Sequence, residues 1–427
     1  MGRPSTPAAD SGRGWNISSL GRRRRSGFHL PGFPASDIAN IMPDFRKTIL
    51  IVAGEASADR YGARLVERLR SLYGPGSLEF FGTGGDAMAG AGVRLLGHIR
   101  DLAHIGVREA LTGMHVYHRV FRSLVRASVE TPPALAILLD FPDFNLRVAK
   151  KLKRLGIRVV YYISPQIWAW RSGRIRAIRR YVDTMLVILP FEEEYYTNRG
   201  VAAEFVGHPL LEDFSPDFNR ESFLKGLGLD PERKTVAILP GSRRKEVDHI
   251  LPTLLEAAAR IRACIPAQFL ISAAPSVGLE YVRNVVRRTP GAALDEAACR
   301  ILTGDSRNIL ANADFAFVKS GTSSLEAALV GTPFVITYKI SPLSWFVGKL
   351  LIRSPMLGLV NLIAREEIVP EFYQDRATPE ALARVAIDYI ENPAQGEAMR
   401  VRLSGIRDRL SVRCASETVA AIVSRYL

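Results

Sequence analysis

One rhythm constrains this chain more than any other feature. A short apolar run ends in a glycine-bearing turn, a helix-spaced segment follows, and the whole series occurs twice. Thr48 to Val52 reads as a buried strand, then GEAS turns into a helix from about Asp59 to Leu72. Apolar runs at Ala134 to Leu139 and Val159 to Ile163 follow, with a helical pattern at Val148 to Leu155 between them. The first series ends near Thr184 to Leu189 and Glu204 to Val206. A polar connector, Glu212 to Asp230, precedes a restart at Val236 to Leu239, and Phe269 to Ser272, Ala316 to Val318 and Phe334 to Thr337 are later strand candidates. Continuous apolar runs alternating with helices imply parallel sheets covered on both faces. The fold class expected is α/β, with two doubly wound domains in tandem and an interdomain cleft. The expected division is a leader over residues 1–42, a first domain over 43–211 and a second over 212–427, whose terminal helix can pack back on the first. Ligands of such sheets bind beyond the carboxyl ends of the strands.

Composition narrows the partners. Lys and Arg number 57 against 43 Asp and Glu, a net charge of +14, which favours an anionic partner. Runs such as Lys150, Lys151, Lys153 and Arg154 follow apolar segments on helix surfaces. No zinc-finger spacing or RNA-binding aromatic signature accompanies them, so nucleic acid is not expected. Three widely spaced cysteines, Cys264, Cys299 and Cys414, form neither a disulfide framework nor a metal site. Residues 1–42 are rich in Gly, Ser, Pro and Arg without an apolar h-region, so they do not read as a secretory signal. Leu343 to Ala364 is apolar but interrupted by Lys349, Arg353 and Pro355, a poor transmembrane helix.

Two loops in the second half suit an anion. In LPGSRRKE, Gly241 permits a tight turn, and Ser242 and the amides after it open a helix N-terminus. Arg243 adds a guanidinium whose fork grips phosphate oxygens. In KSGTSSLEAALVGTPFV, Ser320, Gly321 and Thr322 offer amides and hydroxyls to a diphosphate, and Glu326 stands where it can accept both hydroxyls of a ribose. The plainer alternatives are an ordinary turn and a first-turn acid that complements the helix dipole. In the first half, GEASAD places Glu55, Ser57 and Asp59 at a helix start, where Ser57 could equally be a cap. Asp140 ends a strand, as a general base facing a cleft would, while Asp143 reads as a helix cap. His208 reads as structural. No Asp-x-Asp motif and no metal-ligand spacing occurs, so no metal or cofactor is expected. Within residues 109–126, Met114, Tyr117, Phe121 and Leu124 form an apolar stripe flanked by Arg119, Arg122 and Arg126. It fits either a core-facing helix or one lying on an anionic membrane surface with its stripe near acyl chains.

Taken in order, GEASAD, YYISPQIWAWRSGRIRAIRRYVD, ILPFEEEYY, FVGHPLLE, ILPGSRRKEV, SGTSSLEAALVGTPFV, YKISPLSW, NLIA and VPEFYQDRATPEALA resemble the lipid-A-disaccharide synthase family from about Thr48 to the C-terminus. Ala58 departs from the usual glycine, and the leader before Met42 is not explained by the resemblance. The resemblance implies a glycosyltransferase of two Rossmann-like domains (the GT-B type), cytoplasmic and peripheral on the inner membrane, and a homodimer. It further implies an inverting transfer from UDP-2,3-diacylglucosamine to 2,3-diacylglucosamine 1-phosphate. By position it makes Asp140 the general base, Arg243 the diphosphate ligand, Asn361 an essential asparagine and Gln374 a neighbour of the donor. The rival readings are a UDP-N-acetylglucosamine 2-epimerase-like enzyme and a non-catalytic nucleotide-binding module on a membrane surface.

Overall fold

The computed structural model describes residues 46–103, 110–169, 171–212, 214–290, 298–340, 356–411 and 414–427, with side chains throughout except at 103 and 110–114. Two parallel sheets carry the chain from Arg46 to Leu427. The first contains β1 (Lys47–Val52), β2 (Leu78–Gly84), β3 (Arg94–His98), β4 (Leu135–Leu139), β5 (Val159–Tyr162), β6 (Thr184–Val187) and β7 (Ala203–Phe205). Their spatial order is β3-β2-β1-β4-β5-β6-β7. The second contains β8 (Lys234–Leu239), β9 (Ala267–Ala273), β10 (Cys299–Thr303), β11 (Phe315–Lys319), β12 (Phe334–Tyr338) and β13 (Glu371–Tyr373), ordered β10-β9-β8-β11-β12-β13.

Period-two alternation explains how each strand serves two cores. Ile49, Ile51, Ile137 and Leu139 face the helix Ala56–Tyr73 through Leu65, Val66 and Leu69. Leu50, Val52, Ala136 and Leu138 face the other way, onto Val148 and Leu152 of the helix Pro142–Arg154. Every one of these side chains is fully buried. The second sheet repeats the plan: Val236, Ile238 and Phe269 lie against the helix Arg244–Cys264, and Ala237, Leu239 and Leu270 on the opposite face. The last helix, Ala415–Ser424, inserts Val419, Ala420, Ile422 and Val423 into the first sheet's core.

Strand order fixes where a ligand can sit. In the first sheet the direction of winding reverses between β1 and β4, with Val52 paired to Leu138. In the second it reverses between β8 and β11, with Leu239 paired to Val318. Beyond the carboxyl ends at such a reversal, the loops diverge to opposite faces and leave a crevice. The motifs GEASAD and LLDFPD leave β1 and β4, and PGSR and KSGT leave β8 and β11. Both reversals therefore carry the sequences singled out for chemistry. The polar connector holds a short helix, Arg220–Gly226, and β2, β3, β10 and β13 are strands that the apolar runs do not announce.

Candidate active site

Asp140 sits one residue past β4 in a strained turn. Asp140 and Phe141 both have positive φ, 45° and 47°, a left-handed pair that non-glycine residues rarely adopt. The surroundings hold it there. Asn145 Nδ2 donates to the carbonyls of Leu139 and Asp140 at 3.0 and 2.8 Å, and the Tyr161 hydroxyl donates to the same Asp140 carbonyl. Gly54 makes the turn possible from β1, because a Cβ there would lie 2.3 Å from the Phe141 ring. The half-buried Asp140 carboxyl is pushed up to about 7, first by burial and then by the charge and hydrogen bond of Glu55, with Glu192 adding to the repulsion. Such a carboxylate is a stronger base than a solvated one.

Glu192 was not anticipated from the sequence. It is buried, and its carboxylate accepts from Ser164 Oγ at 2.7 Å, Trp168 Nε1 at 3.0 Å and the Leu189 amide at 3.2 Å. Burial raises it to about 7 against those hydrogen bonds. It thereby pins the SPQIW segment that follows β5, and Trp168 stacks edge-on against Phe191 at 5.0 Å. Trp168, Phe191 and Leu189 also pack on the second sheet's core, so this segment joins the two halves. Tyr61, its hydroxyl pushed up chiefly by burial, lies within electrostatic reach of Glu326 and Arg307 from the second half.

In the second half, Gly241 (φ 123°) turns the chain out of β8, and a Cβ there would lie 2.6 Å from Glu246 Oε2. The exposed Arg243 occupies the N-cap position of the helix Arg244–Cys264, with its guanidinium 3.6 Å from Glu246. Buried Glu246 accepts the Ser242 amide at 3.1 Å and pairs with Lys319 Nζ at 3.1 Å. Next to it, Gly321 (φ 148°) opens the helix Thr322–Val330, and Ser320 Oγ donates to the Leu357 carbonyl at 3.3 Å. Ser242, Arg243, Ser320, Gly321 and Thr322 thus share one edge of the sheet. Glu326 is held by Ser306 Oγ at 3.0 Å and Arg307 Nε at 3.2 Å.

Several expectations are corrected. Asp59 does not face the crevice: it is buried and accepts the amides of Gly85, Ala87 and Met88 at 2.6, 3.1 and 3.1 Å, capping the helix Asp86–Gly90. Ser57 caps nothing and donates to Glu55 instead. Asp143 is no cap either; it lies in the first turn behind Pro142 and pairs with Arg171 and Arg174. Asn361 is fully buried with its amide wholly used, donating to Val369 and Glu371 and accepting from the amides of Ile368 and Val369. It holds Glu371, which also accepts the amides of Leu357 and Gly358 at 3.0 Å each. Gln374 (φ 49°) spends both ends of its amide on the backbone of Ile340, at 3.0 Å each. His208 is buried and lowered to about 4 by that burial, and its Nδ1 accepts the Leu210 amide.

The stripe on the helix Ala110–Glu130 turns inward. Leu124 is fully buried, Tyr117 meets Phe144 edge-on at 4.7 Å, and Phe121 meets the same ring at 6.2 Å. Tyr117 and Phe121 are only partly covered, and Arg119, Arg122 and Arg126 are exposed. The Met114 side chain and residues 343–355 of the apolar stretch Leu343 to Ala364 lie outside the described residues.

Known proteins agree with this frame. Solved structures superpose over most of the chain at low identity and so speak for the fold alone. A putative UDP-N-acetylglucosamine 2-epimerase from Listeria monocytogenes matches with a TM-score of 0.60 at 13% identity, over 89% of this chain and 96% of that one. An Anabaena protein solved with UDP and glucose matches at 0.56 and 14%, over 88% and 99%. Sequence relatives are nearer. A lipid-A-disaccharide synthase of Geobacter metallireducens is 41% identical over 382 residues, 89% of this chain and 97% of the relative. One of Anaeromyxobacter dehalogenans is 43% identical over 369 residues, 86% and 94% respectively. A family described as lipid-A-disaccharide synthetase matches residues 49–423. With two GT-B-type sheets, the ordered motifs and these relatives, the chain belongs to the lipid-A-disaccharide synthase family of glycosyltransferases.

Proposed function

We propose that the chain transfers a diacylglucosaminyl group from UDP-2,3-diacylglucosamine to the 6-hydroxyl of 2,3-diacylglucosamine 1-phosphate, giving a β-1,6-linked disaccharide 1-phosphate and UDP. The observation that carries this reading is Asp140, a carboxyl of raised basicity fixed in a strained turn at one strand reversal, with an anion cradle at the other. An α-linked donor giving a β-linked product requires a single displacement at the anomeric carbon. Asp140, ionised, takes the acceptor proton as the new C–O bond forms, a contribution of about 10²–10⁴ in rate. The bond to UDP breaks on the opposite side. Arg243 and the amides at the two helix N-termini stabilise the charge gathering on the diphosphate. Residues 43–211 would then serve the acceptor and residues 212–427 the UDP sugar.

Acylated substrates favour work at a membrane surface. Among the described residues no helix is long and apolar enough to cross a membrane. Exposed Arg119, Arg122 and Arg126, beside partly covered Tyr117 and Phe121, suit contact with anionic headgroups. Association as a homodimer, cytoplasmic and peripheral on the inner membrane, belongs to the same reading.

Incubation with both acylated sugars tests the reaction. Mass spectrometry should find disaccharide 1-phosphate and UDP in equal amounts. An epimerised UDP sugar with no disaccharide would replace this reading with the epimerase one.

A further inference from the structure

The second half holds a cation that the proposed reaction has not used. Lys319 ends β11, between the turn leaving β8 and the helix Thr322–Val330, at the point where the sheet's winding reverses. Its ammonium lies 3.1 Å from Glu246 Oε1 and 5.4 Å from the centre of the Tyr338 ring. Arg243 reaches that same oxygen at 3.6 Å, and the Ser242 amide takes the other at 3.1 Å. One carboxylate thus faces two cations and a helix N-terminus, which leaves the edge with surplus positive charge. The next lysine, Lys339, is turned to Thr253 Oγ1 at 3.0 Å. Gly321 lies beside Lys319, its φ of 148° leaving a hydrogen where a Cβ would stand 3.5 Å from Nζ. A charge-balanced cluster would be expected of a purely structural ion pair; an uncompensated one invites an anion.

We infer that Lys319 is a second diphosphate-binding cation, held toward the crevice by Glu246 and acting with Arg243 on the leaving group. This rests on the reading of that edge as the UDP-sugar site. Glu246 fixes the ammonium between the two loops. A bound diphosphate supplies the counter-charge that a single carboxylate does not. Lysine suits the place because a compact point charge can serve two phosphate oxygens without the planar fit that a guanidinium needs.

Binding of UDP and of uridine to the full chain, measured by calorimetry for wild type, Lys319→Met, Lys319→Arg and Arg243→Ala, decides the matter. Lys319→Met should weaken UDP by roughly tenfold to a hundredfold, the scale of one charge-assisted hydrogen bond, and leave uridine unchanged. Lys319→Arg, which keeps the charge but not the shape, should recover part of the loss. If Arg243→Ala weakens UDP and Lys319→Met does not, the inference fails while the site stands. If neither variant weakens UDP, the site reading itself fails. Parallel loss of UDP and uridine in Lys319→Met would make the lysine a scaffold and overturn its phosphate role.

Discussion

At the scale of single residues, the chemistry turns on a carboxyl kept uncomfortable. Asp140 is raised to about 7, so between roughly pH 4 and 7 the folded chain binds a proton there that the unfolded chain has released. This contribution to stability is present in acid and is lost as the pH rises through about 7. Asn cannot titrate, so Asp140→Asn should gain thermal stability relative to wild type on going from pH 5 to pH 8. A melting-temperature difference that stays constant across that range would show that Asp140 is not so perturbed. The same carboxyl must be ionised to accept a proton, so turnover should rise with pH toward about 7 and then level. Activity and stability thus trade against each other at one side chain, as expected where strain and burial serve function.

At the scale of elements, the supports around the site matter as much as its edge. Asn361 joins the helix Leu359–Ala364 to β13 through Glu371 and the amides of Ile368 and Val369. Asn361→Ala would strand those buried groups and should cost about 2 kcal/mol or more, read as a lower urea midpoint. An unchanged midpoint with activity abolished would restore a direct chemical role to Asn361. Most inner strands were legible in the sequence because each is a continuous apolar run between turn residues, as in TILIV and VAIL; β2 was not, its run being broken by Glu79, Gly82 and Thr83. Of the edge strands, β7 was read but three were not. β3, β10 and β13 have half-buried or exposed side chains, so neither alternation nor apolar runs mark them. Of the site, Asp140 and the loop positions could be read because strand ends and glycine turns place them. Glu192 and Glu246 could not, since a first-turn acid reads as a helix-dipole partner until tertiary packing buries it, and Lys319 reads as an ordinary strand-end lysine until Glu246 is seen beside it. Asp59 misled for the converse reason: it caps a helix that the sequence did not reveal.

For the whole molecule, hydrogen bonds where the chain passes from one half to the other tie the halves together. The His208 amide donates to the Leu410 carbonyl at 3.0 Å, and Glu212 accepts the Ser416 amide at 2.6 Å where the chain returns to the first sheet. Segments bonded in this way keep the Asp140 edge and the Arg243 edge in one frame. At the same scale, attachment to a membrane is expected to depend on charge more than on an apolar stripe, because Leu124 of that stripe is fully buried and Tyr117 and Phe121 pack against Phe144. Replacing Arg119, Arg122 and Arg126 by Ser should reduce co-sedimentation with anionic vesicles, leave the fold intact and have no effect with zwitterionic vesicles. Equal sedimentation of the variant and wild type would place membrane contact elsewhere. The central claim is that Asp140 removes the acceptor proton in an inverting transfer, and single-turnover disaccharide formation by Asp140→Asn tests it most directly. The account predicts a rate at least about a hundredfold below wild type, with UDP affinity unchanged. A near-normal rate in the folded variant would contradict it and move the base to another acid at the same strand reversal.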